Sequence, residues 1–116
     1  MSDITIFHNP GCGTSRNTLA LLREKGLAPK VVEYLKAGWT EPQLADLFTK
    51  MGVTPREVLR VRGTDAEARG LTDPKAADAA ILKAMTENPI LVERPIVVTP
   101  KGAALCRPVD KVLALL

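Results

Sequence analysis

A cysteine stands where a predicted strand gives way to a predicted helix. The run from His8 to Arg16 reads His-Asn-Pro-Gly-Cys-Gly-Thr-Ser-Arg, with Cys12 near its centre. The pattern predicts a strand from Ile4 to Phe7 and a helix from about Ser15 to Lys25. Free backbone N–H groups at a helix N-terminus favour negative charge, so a thiol there ionises below the pKa of about 8.5 of a free cysteine. Because the thiolate is the nucleophile, this turn is predicted to perform thiol chemistry or bind an anion.

The residues around the cysteine restrict the kind of thiol site. Ser15 occupies the place of the second cysteine in a C-x-x-C dithiol motif, so no neighbouring thiol can resolve a disulfide. A tyrosine-phosphatase loop would need arginine at position 18, which is Thr18. The Ser15 hydroxyl could donate a hydrogen bond to the thiolate, and it could also cap the helix or satisfy a backbone group. His8 could stabilise the thiolate as a cation, relay a proton, or be a buried histidine bonded to the backbone.

Three arginines are candidates for binding an anion beside the thiol. Arg60 is predicted in a short helix, Arg94 precedes a proline in an extended stretch, and Arg107 lies between a cysteine and a proline. Taken singly, each of them is more typical of an exposed surface position than of an anion site. Arg56 and Arg62 compete with Arg60 for the same role.

Composition narrows the class of protein. The chain has 116 residues, which fits one domain over residues 1–116, and a core that must be aliphatic because only 3% of residues are aromatic. No apolar run approaches the ~20 residues of a membrane span, and the N-terminus lacks a secretory signal, so we expect a cytoplasmic protein without membrane contact. The net charge of +3 is scattered, which argues against nucleic-acid binding.

The cysteine and histidine content disfavours both disulfide and metal chemistry. The two cysteines lie far apart in the sequence, and His8 is the only histidine, so no metal site is expected. Cys106 ends an apolar strand, where it could be a resolving thiol or a buried strand residue.

The remaining pattern predicts the elements that position these groups. A second strand with the first helix makes a βαβ unit, residues 40–88 form a helical block, and the last third is a hairpin followed by a helix. The predicted bounds are Lys30–Leu35 for the second strand, Thr40–Gly52, Thr54–Gly63 and Asp73–Asn88 for the helical block, Pro95–Thr99 and Ala103–Cys106 for the hairpin, and Pro108–Leu116 for the last helix. This order, βαβ–ββα with a helical insertion, predicts an α/β thioredoxin-like fold with a mixed sheet. In that fold the proline before the third strand, here Pro95, is usually cis and faces the reactive cysteine. Arg94 gains weight because the residue beside that proline faces the reactive cysteine in thioredoxin-like folds.

Several segments resemble the glutaredoxin-coupled arsenate reductases. The segments are His8–Leu19, Asn88–Thr99, Val58-Leu59-Arg60 and Leu105–Pro108, and the resemblance extends over essentially the whole chain. It implies that Cys12 is the nucleophile, that Arg60, Arg94 and Arg107 clamp the oxyanion, and that His8 and Ser15 support the thiol. Gly11 departs from many relatives, which have alanine or arginine there, and should loosen the loop.

The resemblance also implies the reaction partners. The substrate would be arsenate, glutathione would be the reducing co-substrate, and glutaredoxin would reset the enzyme, with no bound cofactor or metal. We expect a monomer. Two other functions on the same fold stay open: a redox-sensing regulator of the Spx type, which usually carries C-x-x-C, and a general monothiol oxidoreductase acting on glutathionylated proteins.

Overall fold

Strand β1, Thr5–His8, lies inside a four-stranded sheet in the computed structural model, which describes residues 3–116. The sheet order is β2-β1-β3-β4, where β2 is Lys30–Glu33, β3 is Ile96–Thr99 and β4 is Gly102–Leu105. β2 runs parallel to β1, whereas β3 and β4 form an antiparallel hairpin beside it. The predicted mixed sheet and hairpin are therefore confirmed.

Helical segments connect and flank these strands. The α-helices are α1 (Gly13–Glu24), α2 (Tyr34–Ala37), α3 (Glu41–Met51) and α4 (Asp78–Glu87). Three 3₁₀ helices cover Pro55–Val58, Pro89–Leu91 and Val109–Leu115. Within residues 3–116, none of the helices has the length and apolar character needed to cross a bilayer.

The chain divides into two compact units. Of the described residues, the first contains 3–37 and 94–116, and the second contains 38–93. The core of the first unit joins β1, α1, β3 and the last 3₁₀ helix, and its buried members are Ile4, Ile6, Leu19, Leu22, Val97, Cys106, Val112 and Leu115. The predicted insertion of residues 40–88 lies within the second unit, and one domain over residues 1–116 stays a prediction.

The second unit buries the apolar faces of its helices. The buried members of α3 and α4 are Leu44, Leu47, Phe48, Ile81, Ala84 and Met85. Leu59 and Val92 form an antiparallel bridge between two extended segments of this unit. Arg60 donates its backbone N–H to the Leu91 carbonyl at 2.8 Å, and Glu93 donates to the Val58 carbonyl at 2.9 Å. These bonds place Arg60 opposite Leu91 and Glu93 opposite Val58, so residues 60 and 93 are diagonal neighbours on one face of the bridge.

Several predicted elements differ from the observed ones. Tyr34 and Leu35 begin α2 instead of finishing the second strand, and Tyr34 is buried. The helix predicted from Asp73 starts at Asp78, because the Asp73 carboxylate accepts the Lys75 N–H at 2.8 Å and closes a separate turn. The last helix is 3₁₀ from Val109 to Leu115.

Among the candidate site residues, Arg60 lies outside the type of element in which it was predicted. The short helix in which it was predicted ends at Val58, and Arg60 lies beyond it in the extended segment. A 3₁₀ turn opened by a capping box and a proline looks the same in sequence as the first turn of a longer α-helix.

Replacing Thr40 by alanine is expected to destabilise the protein by about 1 kcal/mol, because Thr40 begins α3 with a capping box. Its Oγ1 accepts the Gln43 N–H at 3.2 Å, and the Gln43 side chain accepts the Thr40 N–H at 3.4 Å. Urea unfolding measures the change. The matched control is Thr49→Ala in the same helix, where an exposed hydroxyl bonds the Ala45 carbonyl and alanine has the higher helix propensity. An equal loss in both variants would contradict the capping assignment.

Candidate active site

The loop between β1 and α1 presents Cys12 at the helix start. Cys12 is the N-cap residue of α1, with extended backbone angles, and its carbonyl accepts the Arg16 N–H at 3.0 Å. Asn9 shapes the loop, since its carbonyl accepts the Cys12 N–H at 3.0 Å and its Oδ1 accepts the Gly11 N–H at 2.9 Å. The sulfur is therefore held where the free N–H groups of the first turn lie.

Beneath the loop, His8 and Ser15 form a buried hydrogen-bonded pair. His8 Nδ1 lies 2.6 Å from Ser15 Oγ, and the same hydroxyl accepts the Asn9 N–H at 3.0 Å. Burial lowers the pKa of His8, and the charges of Arg23 and Arg16 add to this while Glu33 opposes it. A neutral imidazole is thus favoured, which argues against His8 as the cation that stabilises the thiolate.

The observed partners of Ser15 refine its predicted role. Its hydroxyl is committed to His8 and to the Asn9 N–H, so it satisfies a backbone group of the loop, whereas the N-cap residue of α1 is Cys12 and not Ser15. The contact of Ser15 with the Cys12 thiol is a hydrogen bond from its backbone N–H. His8 and Ser15 accordingly hold the shape of the loop around the thiol.

Two predicted arginines lie at the sulfur. Arg107 Nη1 is 3.6 Å from Cys12 Sγ and also donates to the Arg94 carbonyl at 3.0 Å. Arg94 is buried, with 8% of its surface exposed, and it also donates a hydrogen bond to the thiol. Both arginines precede cis peptide bonds, to Pro95 and Pro108.

Arg94 has unused donor capacity. Among residues 3–116, its buried Nε and Nη1 atoms have no hydrogen-bond partner. Buried guanidinium donors are costly when unpaired, and a planar fork of N–H groups matches the oxygens of a tetrahedral oxyanion. The guanidinium groups of Arg94 and Arg107 beside Cys12 are therefore chemically suited to bind an anion.

The same groups set the ionisation of Cys12. Burial raises the pKa of the thiol, but hydrogen bonds from the Ser15 N–H, Arg94 and Arg107, with the charge of Arg94, outweigh burial and lower the pKa to about 7. Roughly half of the thiol is then ionised at neutral pH. The site therefore brings a readily ionised thiol and free guanidinium donors together.

The rate of alkylation of Cys12 by iodoacetamide is expected to rise with pH through a midpoint of about 7. The Cys106→Ala variant leaves Cys12 as the one thiol, so its profile is unambiguous. In Arg107→Ala the midpoint should move upward, because a hydrogen bond that favours the thiolate is lost. A midpoint near the value of about 8.5 for a free cysteine would contradict the assignment.

Cys106 is not suited to nucleophilic chemistry. Its side chain is fully buried in the core of the first unit, with Sγ 3.7 Å from the Ala104 carbonyl. Burial raises the pKa of this thiol to about 11, although Lys111 and the Val97 N–H oppose the rise. The geometry favours the buried strand-end residue over a resolving thiol.

The other candidate arginines lie in the second unit. Arg56 donates to the carbonyls of Leu71, Asp73 and Ala76, which ties it to a loop, and Arg62 is exposed. Arg60 forms an ion pair with Glu93, with Nη1 2.8 Å from Oε1. Its membership of the anion clamp stays a prediction.

Two residues that bond to candidate site residues were not singled out from the sequence. Asn9 could have been identified, since Asn-Pro-Gly is a strong turn sequence in which the asparagine side chain bonds a backbone N–H two residues on. Glu93 gave no sequence signal, because its pairing with Arg60 depends on the bridge between distant segments. No group of three or more potential metal ligands occurs within residues 3–116.

Known proteins are similar over almost the full chain. The model of the ArsC family matches residues 7–115. The arsenate reductase ArsI2 of Synechocystis sp. is 54% identical over 113 residues, covering 97% of this chain and 81% of that protein. The arsenate reductase of Escherichia coli strain K12 is 46% identical over 116 residues, covering 100% and 82%.

Solved structures share the fold. The arsenate reductase from Vibrio cholerae superposes with a TM-score of 0.92 at 38% identity, covering 97% of each chain. The likeness confirms the predicted α/β fold.

Proposed function

The chain belongs to the ArsC family, and from that premise we propose that it is an arsenate reductase whose Cys12 thiolate attacks bound arsenate. The observation that carries the mechanism is the position of the sulfur. It lies 3.6 Å from Arg107 Nη1 and beside the buried, unpartnered donors of Arg94.

Substrate binding uses the free guanidinium donors. Arsenate at neutral pH is a tetrahedral anion with one to two negative charges. Arg94 Nε and Nη1 supply donors in a planar fork, and Arg107 supplies a second guanidinium. We include Arg60 as the third member of the clamp, as the resemblance implies. Phosphate has the same shape and charge, so it should bind weakly without turnover.

In the first chemical step the thiolate forms a sulfur–arsenic bond. Arsenic passes through a five-coordinate state, and an oxygen departs as hydroxide or, once protonated, as water. Arsenic stays pentavalent in this step. Arg94 and Arg107 stabilise the added negative charge, because their guanidinium groups lie beside the sulfur before the reaction begins.

The second step transfers two electrons and needs another thiol. A glutathione thiolate bonds to the Cys12 sulfur, the sulfur–arsenic bond breaks, and its electron pair stays on arsenic, which leaves as arsenite. The product on the protein is a mixed disulfide of Cys12 and glutathione. Ser15 cannot supply the second thiol, and buried Cys106 is unsuited to it.

Glutaredoxin completes the proposed cycle by reducing the mixed disulfide. The cycle uses no bound cofactor or metal, and it requires a compartment with reduced glutathione, in keeping with the cytoplasmic location predicted above. All protein groups in it come from one chain, which a monomer can supply.

The experiment that tests this function measures arsenite formed from arsenate with glutathione and glutaredoxin. We expect continuous turnover with all components, and a stop after about one equivalent when glutaredoxin is omitted. A general monothiol oxidoreductase would instead reduce glutathionylated proteins while forming no arsenite. That outcome, or the absence of arsenite in the complete mixture, would overturn the proposal.

A further inference from the structure

A carboxylate holds the guanidinium group of Arg60. Arg60 Nη1 donates to Glu93 Oε1 at 2.8 Å, and the two side chains are 15% and 23% exposed. The pair is thus largely shielded from water, unlike the surface pairs of this chain, such as Lys50 with Asp46, whose side chains are more than half exposed.

The backbone brings the two side chains together. Arg60 and Glu93 each follow a residue of the bridge between Leu59 and Val92. The backbone N–H of Arg60 donates to the Leu91 carbonyl, and that of Glu93 donates to the Val58 carbonyl. Both ends of the ion pair therefore start from a fixed backbone. A free arginine side chain would populate many rotamers, and the bond to Glu93 selects among them.

The bond leaves most of the guanidinium available. An arginine carries five N–H donors, and the described contact to Glu93 uses one of them. The remaining donors can bind an oxyanion bidentately. Glu93 also immediately precedes Arg94, so one short segment carries both this carboxylate and a guanidinium of the active site.

We propose that Glu93 is a positioning residue that preorganises Arg60 for arsenate binding, an inference that rests on the proposed function of the site. The negative charge of Glu93 has an opposing effect, since it partly neutralises Arg60 and by itself weakens anion binding. The orienting effect of Glu93 on Arg60 outweighs this partial neutralisation, because a binding group that is displaced by about 1 Å loses much of its contribution.

Two substitutions separate orientation from charge. Glu93→Asp keeps the charge but shortens the side chain by one methylene, so the carboxylate no longer reaches Arg60 at 2.8 Å. Glu93→Gln keeps the length and an oxygen acceptor but removes the charge. If orientation dominates, the aspartate variant is impaired and the glutamine variant is not.

Arsenate binding is measured calorimetrically in the Cys12→Ser background, where no bond to arsenic forms, and KM and kcat are measured in the active protein. We expect Glu93→Asp to weaken binding and raise KM about three- to tenfold, with kcat within about twofold. For Glu93→Gln we expect the arsenate affinity and KM to stay within about twofold of the parent values. The matched control is Glu87→Ala, which removes a carboxylate 3.1 Å from Arg69 in the same unit and should change neither.

A double variant tests whether Glu93 acts through Arg60. Arg60→Ala with Glu93→Asp should bind arsenate as weakly as Arg60→Ala alone. Further weakening in the double variant, or unchanged or tighter binding in Glu93→Asp, would overturn the inference.

Failure of the proposed function gives a different pattern. If arsenate binds and the variants follow the expected order but no arsenite forms, the reductase proposal fails and the positioning role stands. If the Cys12→Ser parent binds no arsenate, both fail.

Discussion

Cys12→Ser is expected to lower the rate of arsenite formation at least about a thousandfold, as loss of a catalytic nucleophile does in other enzymes. A serine hydroxyl at this position stays protonated at neutral pH, and it supplies no sulfur for the mixed disulfide with glutathione. The surrounding loop should keep its structure, because the bonds of the loop to Cys12 come from its backbone N–H and carbonyl.

Cys106→Ala is the matched control for this substitution. It removes the other thiol, which is buried in the core beside the Ala104 carbonyl and the Val97 N–H. We expect its arsenite formation to stay near that of the parent, with some loss of stability from the smaller core side chain. Substantial turnover by Cys12→Ser, or loss of turnover in a folded Cys106→Ala protein, would contradict the assignment of the nucleophile.

Arg94→Ala is expected to lower kcat/KM for arsenate about 10²- to 10³-fold, the range seen when a donor to a developing oxyanion is removed. Arg94 is buried, and its Nε and Nη1 face no acceptor among residues 3–116, so its loss removes the donors best placed for substrate. Arg94→Lys should not restore activity, because an ammonium group lacks the planar fork.

The pH dependence of Cys12 alkylation in Arg94→Ala tests whether Arg94 also lowers the pKa of the thiol. The hydrogen bond and charge of Arg94 both lower the pKa of Cys12, so the alkylation midpoint should rise in the variant. Arg62→Ala is the control, since Arg62 is an exposed arginine whose removal makes the same change in net charge. If Arg94→Ala kept the kcat/KM of the parent, the assignment of Arg94 to the anion site would be contradicted.

Local features of the site were predictable from the sequence. Turn residues after an apolar strand and before a helical pattern located Cys12 at the N-terminus of α1, and the structure has it as the N-cap residue. The hairpin of β3 and β4 followed from an apolar run, a turn and a second run. These features depend on neighbouring residues, which is why the pattern was sufficient.

Contacts between distant segments were not predictable from physical pattern alone. Arg107 reaches Cys12 across 95 positions of sequence, and only the resemblance selected it from the other arginines. The partner of His8 was likewise undetermined, because a buried ring takes whichever acceptor or donor the folded chain supplies, and here that is Ser15. Arg60 was assigned to a helix because sequence does not distinguish a single 3₁₀ turn from a longer helix.

The most direct test of the central claim is a single-turnover reaction of the protein with arsenate and glutathione in the absence of glutaredoxin, analysed by mass spectrometry and peptide mapping. We expect one glutathionyl group on Cys12 for each arsenite released, and none on Cys106. Arsenite released while Cys12 stays unmodified, or a glutathionyl group found on Cys106 instead, would contradict the central claim.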